Sequence, residues 1–359
     1  MRVVSYFKTV FAFIRLALAQ IYVLLYQIYT TMKNLLRVLS IGLIVTQVGY
    51  AQSNEYVVFT KAKKLPQPIF GMSYAANGQK AILAGGRSFS ANSDEIYVYD
   101  SAIDEWLNLS SSSPLKPTLF GGAVYLEDYG SVLFAGGTTQ TRDHVLLIDN
   151  IQYYDMKTFQ SSDLGENPIA AKNQGLAYAN DKVYIFGGST GRKADKEGVE
   201  FEFNKRMYVY NLKTGLMQQL SDMPEGKETK GCIVAGTLYT LGGYGEKASD
   251  QIHAYDIQKD KWSKIGRLKN PCSAYALVQY QQYIFLIGDY KFMDQMVVFD
   301  TKSLKTKTFK MNFRGRHMGA AVLEGELHVF GGFDPEKSRS SGSAQHWKLD
   351  LDQFFKYNY

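Results

Sequence analysis

Val183-Tyr184-Ile185-Phe186-Gly187-Gly188 is an apolar run closed by a glycine pair, and the chain repeats it. The same pattern reads Ile82-Leu83-Ala84-Gly85-Gly86, Val132-Leu133-Phe134-Ala135-Gly136-Gly137, Leu238-Tyr239-Thr240-Leu241-Gly242-Gly243 and Leu327-His328-Val329-Phe330-Gly331-Gly332. Ile284-Phe285-Leu286-Ile287-Gly288 is a copy with one glycine. The first glycines stand 51, 51, 55, 46 and 43 residues apart. A period of about 50 residues marks a repeat architecture, in which small units bury their faces only against each other.

Each unit supplies four strands. A small-residue segment precedes each glycine run, at 71–76, 121–126, 175–179, 231–235, 274–278 and 319–323. After the glycines come a loop and an apolar strand ending in an aromatic and Asp or Asn: Tyr99-Asp100, Tyr154-Asp155, Tyr210-Asn211, Tyr255-Asp256 and Phe299-Asp300. A later aromatic follows in four units, as Trp106, Phe159, Trp262 and Phe309. These features resemble the kelch repeat, six copies in register over residues 56–352. The resemblance implies an all-β fold, a six-bladed kelch β-propeller. The departures are local: Gly288-Asp289 in blade 5, Leu216 and Met217 where blade 3 would hold its late aromatic, and Leu349-Asp350 in blade 6. Glycine fits where the backbone turns or packs too closely for a side chain. The aromatics are expected to fill the gaps between blades.

The last repeat stops after its third strand, near Leu351, whereas Tyr56-Val57-Val58-Phe59-Thr60 followed by Leu65-Pro66 reads like the end of a fourth strand. The N-terminal strand is therefore expected to complete the C-terminal blade, which closes the ring and removes an open edge. The aromatic tail, residues 354–359, is expected to pack across a blade.

Residues 1–51 differ in composition, with five Lys or Arg and no acid. Met32-Lys33-Asn34-Leu35-Leu36-Arg37, an apolar core over 38–45 and Gly49-Tyr50-Ala51 before Gln52 read as a secretory signal peptide over 32–51. Two readings stand for residues 1–31: translation starts at Met32, or 10–28 forms a transmembrane helix. The propeller then occupies 52–359. Export predicts a periplasmic or secreted protein, without stable membrane insertion if Met32 is the start. The chain has 40 basic and 34 acidic residues, +6, but residues 52–359 keep 35 and 34, about +1. A neutral domain offers no electrostatic case for nucleic acid. Cys232 and Cys272 are too few for a metal cluster and are expected as free thiols; an exported protein could also pair them. No cofactor or metal is expected, and the propeller is expected as a monomer.

In a propeller the loops between strands 2 and 3, and between strand 4 and the next blade, open on one face. The longest such insertions are 138–150, 189–206 and 333–345. Loops on a rigid scaffold commonly carry binding groups. The candidates on that face are Arg87, Arg142, Lys172, Asn173, Arg192, Lys230, Tyr244, Lys291, Arg314, Arg316 and His317, with acids Glu166, Glu225, Glu228 and Glu246 among them. Converging cations suit a carboxylate or an acidic peptide, since arginine grips planar oxyanions in a bidentate manner. The five histidines lack metal-ligand spacing, and neither a Gly-x-Ser-x-Gly elbow nor a phosphate loop occurs.

Two functions follow. The first is an exported binding module recognising a glycan, a small acidic ligand or an envelope protein at the channel mouth. The alternative draws on a resemblance to the bacterial N-acetylneuraminate epimerases, or sialate mutarotases. It implies opening of a sugar hemiketal ring, with Arg316 or Arg192 on the carboxylate and Glu228, His317 or Glu200 moving protons. That enzyme requires a buried acid within reach of a buried arginine.

Overall fold

The computed structural model describes residues 56–359 apart from 90, 110–114, 117, 141–144, 191–201 and 338–340. The signal-peptide and upstream readings, Arg142, Arg192 and Glu200 all lie outside the described residues. Six sheets form a six-bladed β-propeller. From inside outwards, blade 1 runs Ser73–Ala76, Lys80–Ala84, Ile96–Asp100 and Glu105–Asn108. Blade 2 is Gly122–Leu126, Ser131–Ala135, Asn150–Asp155 and Gln160–Glu166. Blade 3 is Gly175–Ala179, Lys182–Phe186, Met207–Asn211 and Leu216–Leu220. Blade 4 is Gly231–Val234, Thr237–Leu241, Gln251–Asp256 and Lys261–Arg267. Blade 5 is Ala276–Tyr280, Tyr283–Ile287, Gln295–Asp300 and Lys305–Met311. Blade 6 is Gly319–Leu323, Glu326–Phe330 and His346–Asp350, with Thr60–Lys61 outermost.

The ring closes as expected, with one addition. Thr60–Lys61 pairs antiparallel with Trp347 and Lys348 of blade 6, while Tyr56–Val57 adds a parallel fifth strand to blade 5 on Lys310 and Met311. Between the two, Asn312 acts as a side-chain strand: its Nδ2 donates to the Phe59 carbonyl at 2.8 Å and its Oδ1 accepts from Phe59 N at 2.9 Å. The N-terminal segment thus clasps two blades. The aromatic tail forms a helix, Leu351–Asn358, capped by Asp350. Its Phe354 and Phe355 lie against Phe309 and Tyr283 of blade 5.

The repeat motifs have physical roles. A Cβ on the first glycine of any blade (Gly85, Gly136, Gly187, Gly242, Gly288 or Gly331) would come within 2.7 Å of a carbonyl in the next blade's entry loop. The second glycine donates its N–H across that seam, as Gly137 to Ala171 O and Gly243 to Cys272 O, both at 2.8 Å. The glycines are therefore blade-to-blade contacts. The Asp or Asn after the aromatic caps the turn into strand 4: Asp155 Oδ1 accepts from Lys157 N and Thr158 N, and Asp256, Asp300 and Asn211 accept in the same manner. The late tryptophans tie each blade to the one before. Trp262 Nε1 donates to Ser221 O of blade 3, and Trp106 Nε1 to Lys63 O just past the clasp.

Blade 5 shows why its second glycine is dispensable. Asp289 is 2% exposed, and its carboxylate accepts from Ser273 N (2.7 Å), Lys291 N (2.8 Å) and Phe292 N (2.7 Å). Both cysteines are free, Cys272 buried and Cys232 half-buried. No helix among the described residues is long and apolar enough to cross a membrane.

Candidate functional site

The loops between strands 2 and 3 and those entering each blade line one mouth, a cavity of about 1050 Å³. Its lip is a chain of main-chain bonds running from blade to blade. His317 N donates to Ala274 O, Gly71 N to His317 O, Phe120 N to Gly71 O, and Asn173 N to Phe120 O, at 2.7 to 2.9 Å. These five lip residues hold φ between +50° and +65°, including Phe120, Ala274 and His317, which are not glycine. Such conformations cost energy and persist only where their surroundings enforce them, often at sites. The side chain each blade presents there differs, so a near-symmetric scaffold carries an asymmetric mouth.

Lys230, on the cavity lining, rests on Tyr74. Counted from the lip, the Tyr74 position holds Ala123, Leu176, Cys232, Leu277 and Ala320 in the other blades. Its side chain leaves blade 1, crosses beside Gly319 of blade 6, and binds blade 5: Oη accepts from Leu277 N at 2.8 Å and contacts Leu277 O at 3.2 Å. Burial raises its pKa well above that of ordinary tyrosine. Lys230 of blade 4 lies on this ring, Nζ 5.2 Å from the centroid. In blades 1, 3, 5 and 6 the same position holds Met72, Gln174, Tyr275 and Met318; three of these side chains, Met72, Gln174 and Met318, pack under the preceding glycines. Burial pulls the Lys230 ammonium down to about 8, partly opposed by Glu228. No carboxylate lies within 4.0 Å of it among the described residues.

Glu228 is already engaged. Its carboxylate accepts from Ser189 Oγ (2.6 Å) and Asn173 Nδ2 (2.9 Å), and Lys172 Nζ stands at 3.3 Å. His317 stacks on Phe120, ring centroids 4.7 Å apart. Burial, then the charges of Arg316, Lys230 and Lys172, push its imidazole down to about 3, so three cations act on one point of the lip. Arg316 lies over Tyr290 (4.0 Å) and Phe333 (5.3 Å), with its Nε buried and unpaired.

The remaining candidates separate. Tyr244 is exposed and packs edge-on against Phe203, and Lys291 is exposed above Phe292. Arg314 is taken up by a bidentate pair with Glu336. Arg87 sits on a small hairpin, Arg87–Ser88 against Ala91–Asn92, away from the cavity lining. Glu225 forms an ion pair with buried Lys227. Glu246 lines the rim, and Glu166 ends an outer strand. Sequence reading missed Tyr74, Ser189 and the cap at Asp289. A column-by-column comparison of the six units exposes Tyr74 and Asp289, since each is the odd residue in its column; Ser189 carries no such mark.

Residues 71–289 match a family model described as the KLHDC2/KLHL20/DRC7 Kelch-repeats domain. The chain belongs to the kelch-repeat family. This kelch protein is 24% identical to Kelch-like protein 40 of Xenopus laevis over 227 residues, 61% of this chain and 35% of that protein. It is 24% identical to Kelch domain-containing protein 10 of Rattus norvegicus over 218 residues, 56% of this chain and 50% of that one. With Leucine-zipper-like transcriptional regulator 1 of Homo sapiens it shares 24% over 269 residues, 69% of this chain and 32% of that protein. The chain thus matches about a third to a half of the length of these curated relatives. Kelch propellers are protein-interaction modules in general. An arginine beside a buried acid, which a mutarotase would require, is not found at Glu228 among the described residues: its cationic partner is Lys172, and Arg316 lies on Tyr290.

Proposed function

We propose that the mouth binds an acidic segment of a protein partner. The observation that carries this reading is Lys230, an ammonium on a tyrosine face at the base of the cavity with no carboxylate within 4.0 Å among the described residues. Arg316 and Lys172 add charge around it, and Glu228 is occupied by its own three partners. Tyr74 reaches from blade 1 to Leu277 of blade 5 beneath Lys230, and in this reading the ligand inserts a side-chain tip or a turn above it. Exposed Tyr244, Tyr290 and Phe292 on the rim supply apolar contact for the flanking residues. A carboxylate-bearing glycan would meet the same cations. In this reading residues 32–51 export the protein, and the partner lies in the envelope or outside the cell.

Titration of the protein, purified from cells expressing the full chain, with a labelled Asp/Glu-rich peptide and its Asn/Gln counterpart tests the proposal. The acidic peptide binds more tightly, and Lys230→Met and Arg316→Ala each weaken it about tenfold, or ~1.4 kcal/mol. Binding falls as the pH rises through about 8, where Lys230 loses its proton. Equal binding of both peptides, or an inert Lys230→Met, would overturn it. An acidic glycan that displaces the peptide identifies carboxylate as the shared determinant. N-terminal sequencing supports export if the mature chain starts at Gln52 and refutes it if Met1 or Met32 remains.

A further inference from the structure

The domain is close to neutral, but its charge is not spread evenly around the ring. Residues 71–166, which contain blades 1 and 2, carry 5 basic and 12 acidic residues, net −7. Residues 171–314, which contain blades 3 to 5, carry 22 and 15, net +7. In a six-bladed ring blade 1 stands opposite blade 4 and blade 2 opposite blade 5, so the propeller is an electrical dipole in the plane of the ring.

The outer edges sharpen this. Blade 5's edge is partly covered by Tyr56–Val57, and blade 6's outermost strand has only two residues. Among the described residues, two seven-residue strands are the outermost of their sheets: Gln160–Glu166 in blade 2 and Lys261–Arg267 in blade 4. They carry opposite charges at the same three-residue spacing, Asp163 and Glu166 against Lys261, Lys264 and Arg267. Arg267 is held by Asp250, but Lys261 and Lys264 are exposed with no carboxylate within 4.0 Å among the described residues. Glu166 is exposed and has no cation within 4.0 Å among the described residues; Asp163 is exposed too, its Oδ2 accepting from Asn150 Nδ2 and its Oδ1 from Gly165 N. The bulge in each blade lies toward the far end, leaving Gln160–Asp163 and Lys261–Lys264 in unbroken register. Laid side by side, centre on centre, the strands bring Asp163 to Lys264 in either direction, and Glu166 to Lys261 or Arg267.

We propose that these edges dock on each other between two copies of this chain, blade 2 of one against blade 4 of the next. Lysine on a sheet edge repels a like edge; here it selects an acidic one. The contact joins two different patches, so it is head-to-tail and extends beyond a dimer. Resting on exposed charge, it is weak and sensitive to salt.

Sedimentation velocity of the protein purified from cells expressing the full chain provides the test. At about 20 mM salt the sedimentation coefficient rises with concentration, and at about 500 mM the rise disappears. Lys261→Glu/Lys264→Glu abolishes it, and so does Asp163→Lys/Glu166→Lys, or Glu166→Lys alone if the Asp163 change impairs folding. Mixing the two variants restores association, which a general loss of solubility or fold would not. A monomer at every concentration in low salt overturns the proposal, as does association indifferent to these charges, or a basic edge that retains a polyanion without self-association.

Discussion

Replacing Asp289 by glycine restores the glycine pair that the five other blades carry, and it destabilises the propeller. At this position Asp289 does not need a left-handed backbone, so glycine relieves no strain. The substitution removes the acceptor of three N–H groups. Lys291 and Phe292 are exposed, and water takes over part of their loss, but Ser273 is buried and its N–H is orphaned. A buried donor left unpaired costs about 1–3 kcal/mol, and glycine adds about 0.5–1 kcal/mol of backbone entropy. Relief of the carboxylate's own desolvation offsets some of this, leaving a net loss of roughly 2–3 kcal/mol. For a domain of about 300 residues that lowers the melting midpoint by about 3–5 °C. Thermal unfolding followed by circular dichroism reads the shift, with Asp289→Asn as the control that keeps one acceptor and falls between. A glycine variant as stable as the parent would show that the cap contributes nothing and that blade 5 merely tolerates aspartate.

Gly242→Ala, whose Cβ meets Cys272 O at 2.5 Å, melts lower than Gly236→Ala, where nothing lies within 4 Å. Both strain a positive φ, so the gap of about 1–3 kcal/mol isolates the blade seam. Tyr74→Phe orphans Leu277 N–H and lowers stability to urea by about 1–3 kcal/mol; Tyr74→Ala also removes the ring under Lys230, and fluorescent labelling of Lys230 becomes faster. Acid weakens the fold early. His253, His328 and His346 are buried and pushed down by burial to about 4, 3 and 4. The unfolded chain binds protons below about 6.5 while the native state does not, so stability falls as pH drops from about 7 toward 4, by about 1 kcal/mol per histidine between pH 7 and 5.5. Urea midpoints at those two pH values check this, and His253→Gln flattens the slope by one histidine's share.

The repeat was legible because it rests on sterics that leave a mark in every unit. Glycines at the seam and an Asp or Asn at the turn recur from blade to blade, and a late aromatic recurs in four units, so they mark a readable period. The closure was legible as a missing strand, but not the second grip on blade 5, because Tyr56–Val57 has no counterpart in other units. The tail's helix escaped as well: its aromatics signalled packing, not backbone. Among site residues, Lys172, Asn173, Lys230, Tyr244, Lys291, His317 and Glu228 do line one mouth. Which of the charges are already satisfied was out of reach. Glu228 and Arg314 look alike in sequence as free loop charges, yet each is held by partners on distant segments.

The asymmetry of the mouth follows from where the repeat is broken. A residue the scaffold needs appears in every blade; a residue that appears once is released from that requirement and must be explained by what it touches. Tyr74 and Asp289, from blades 1 and 5, are the odd residues of their columns, whereas Lys230 and His317, from blades 4 and 6, stand at positions that vary from blade to blade. Lys230 and Tyr74 touch each other, and Lys230 bears on the His317 imidazole. Asp289 fixes the loop that holds Tyr290 beneath Arg316. These contacts join four blades at one end of the ring, the end at which the acidic partner is proposed to bind. The opposed charges of the outer edges are a separate departure, on surfaces the scaffold leaves free.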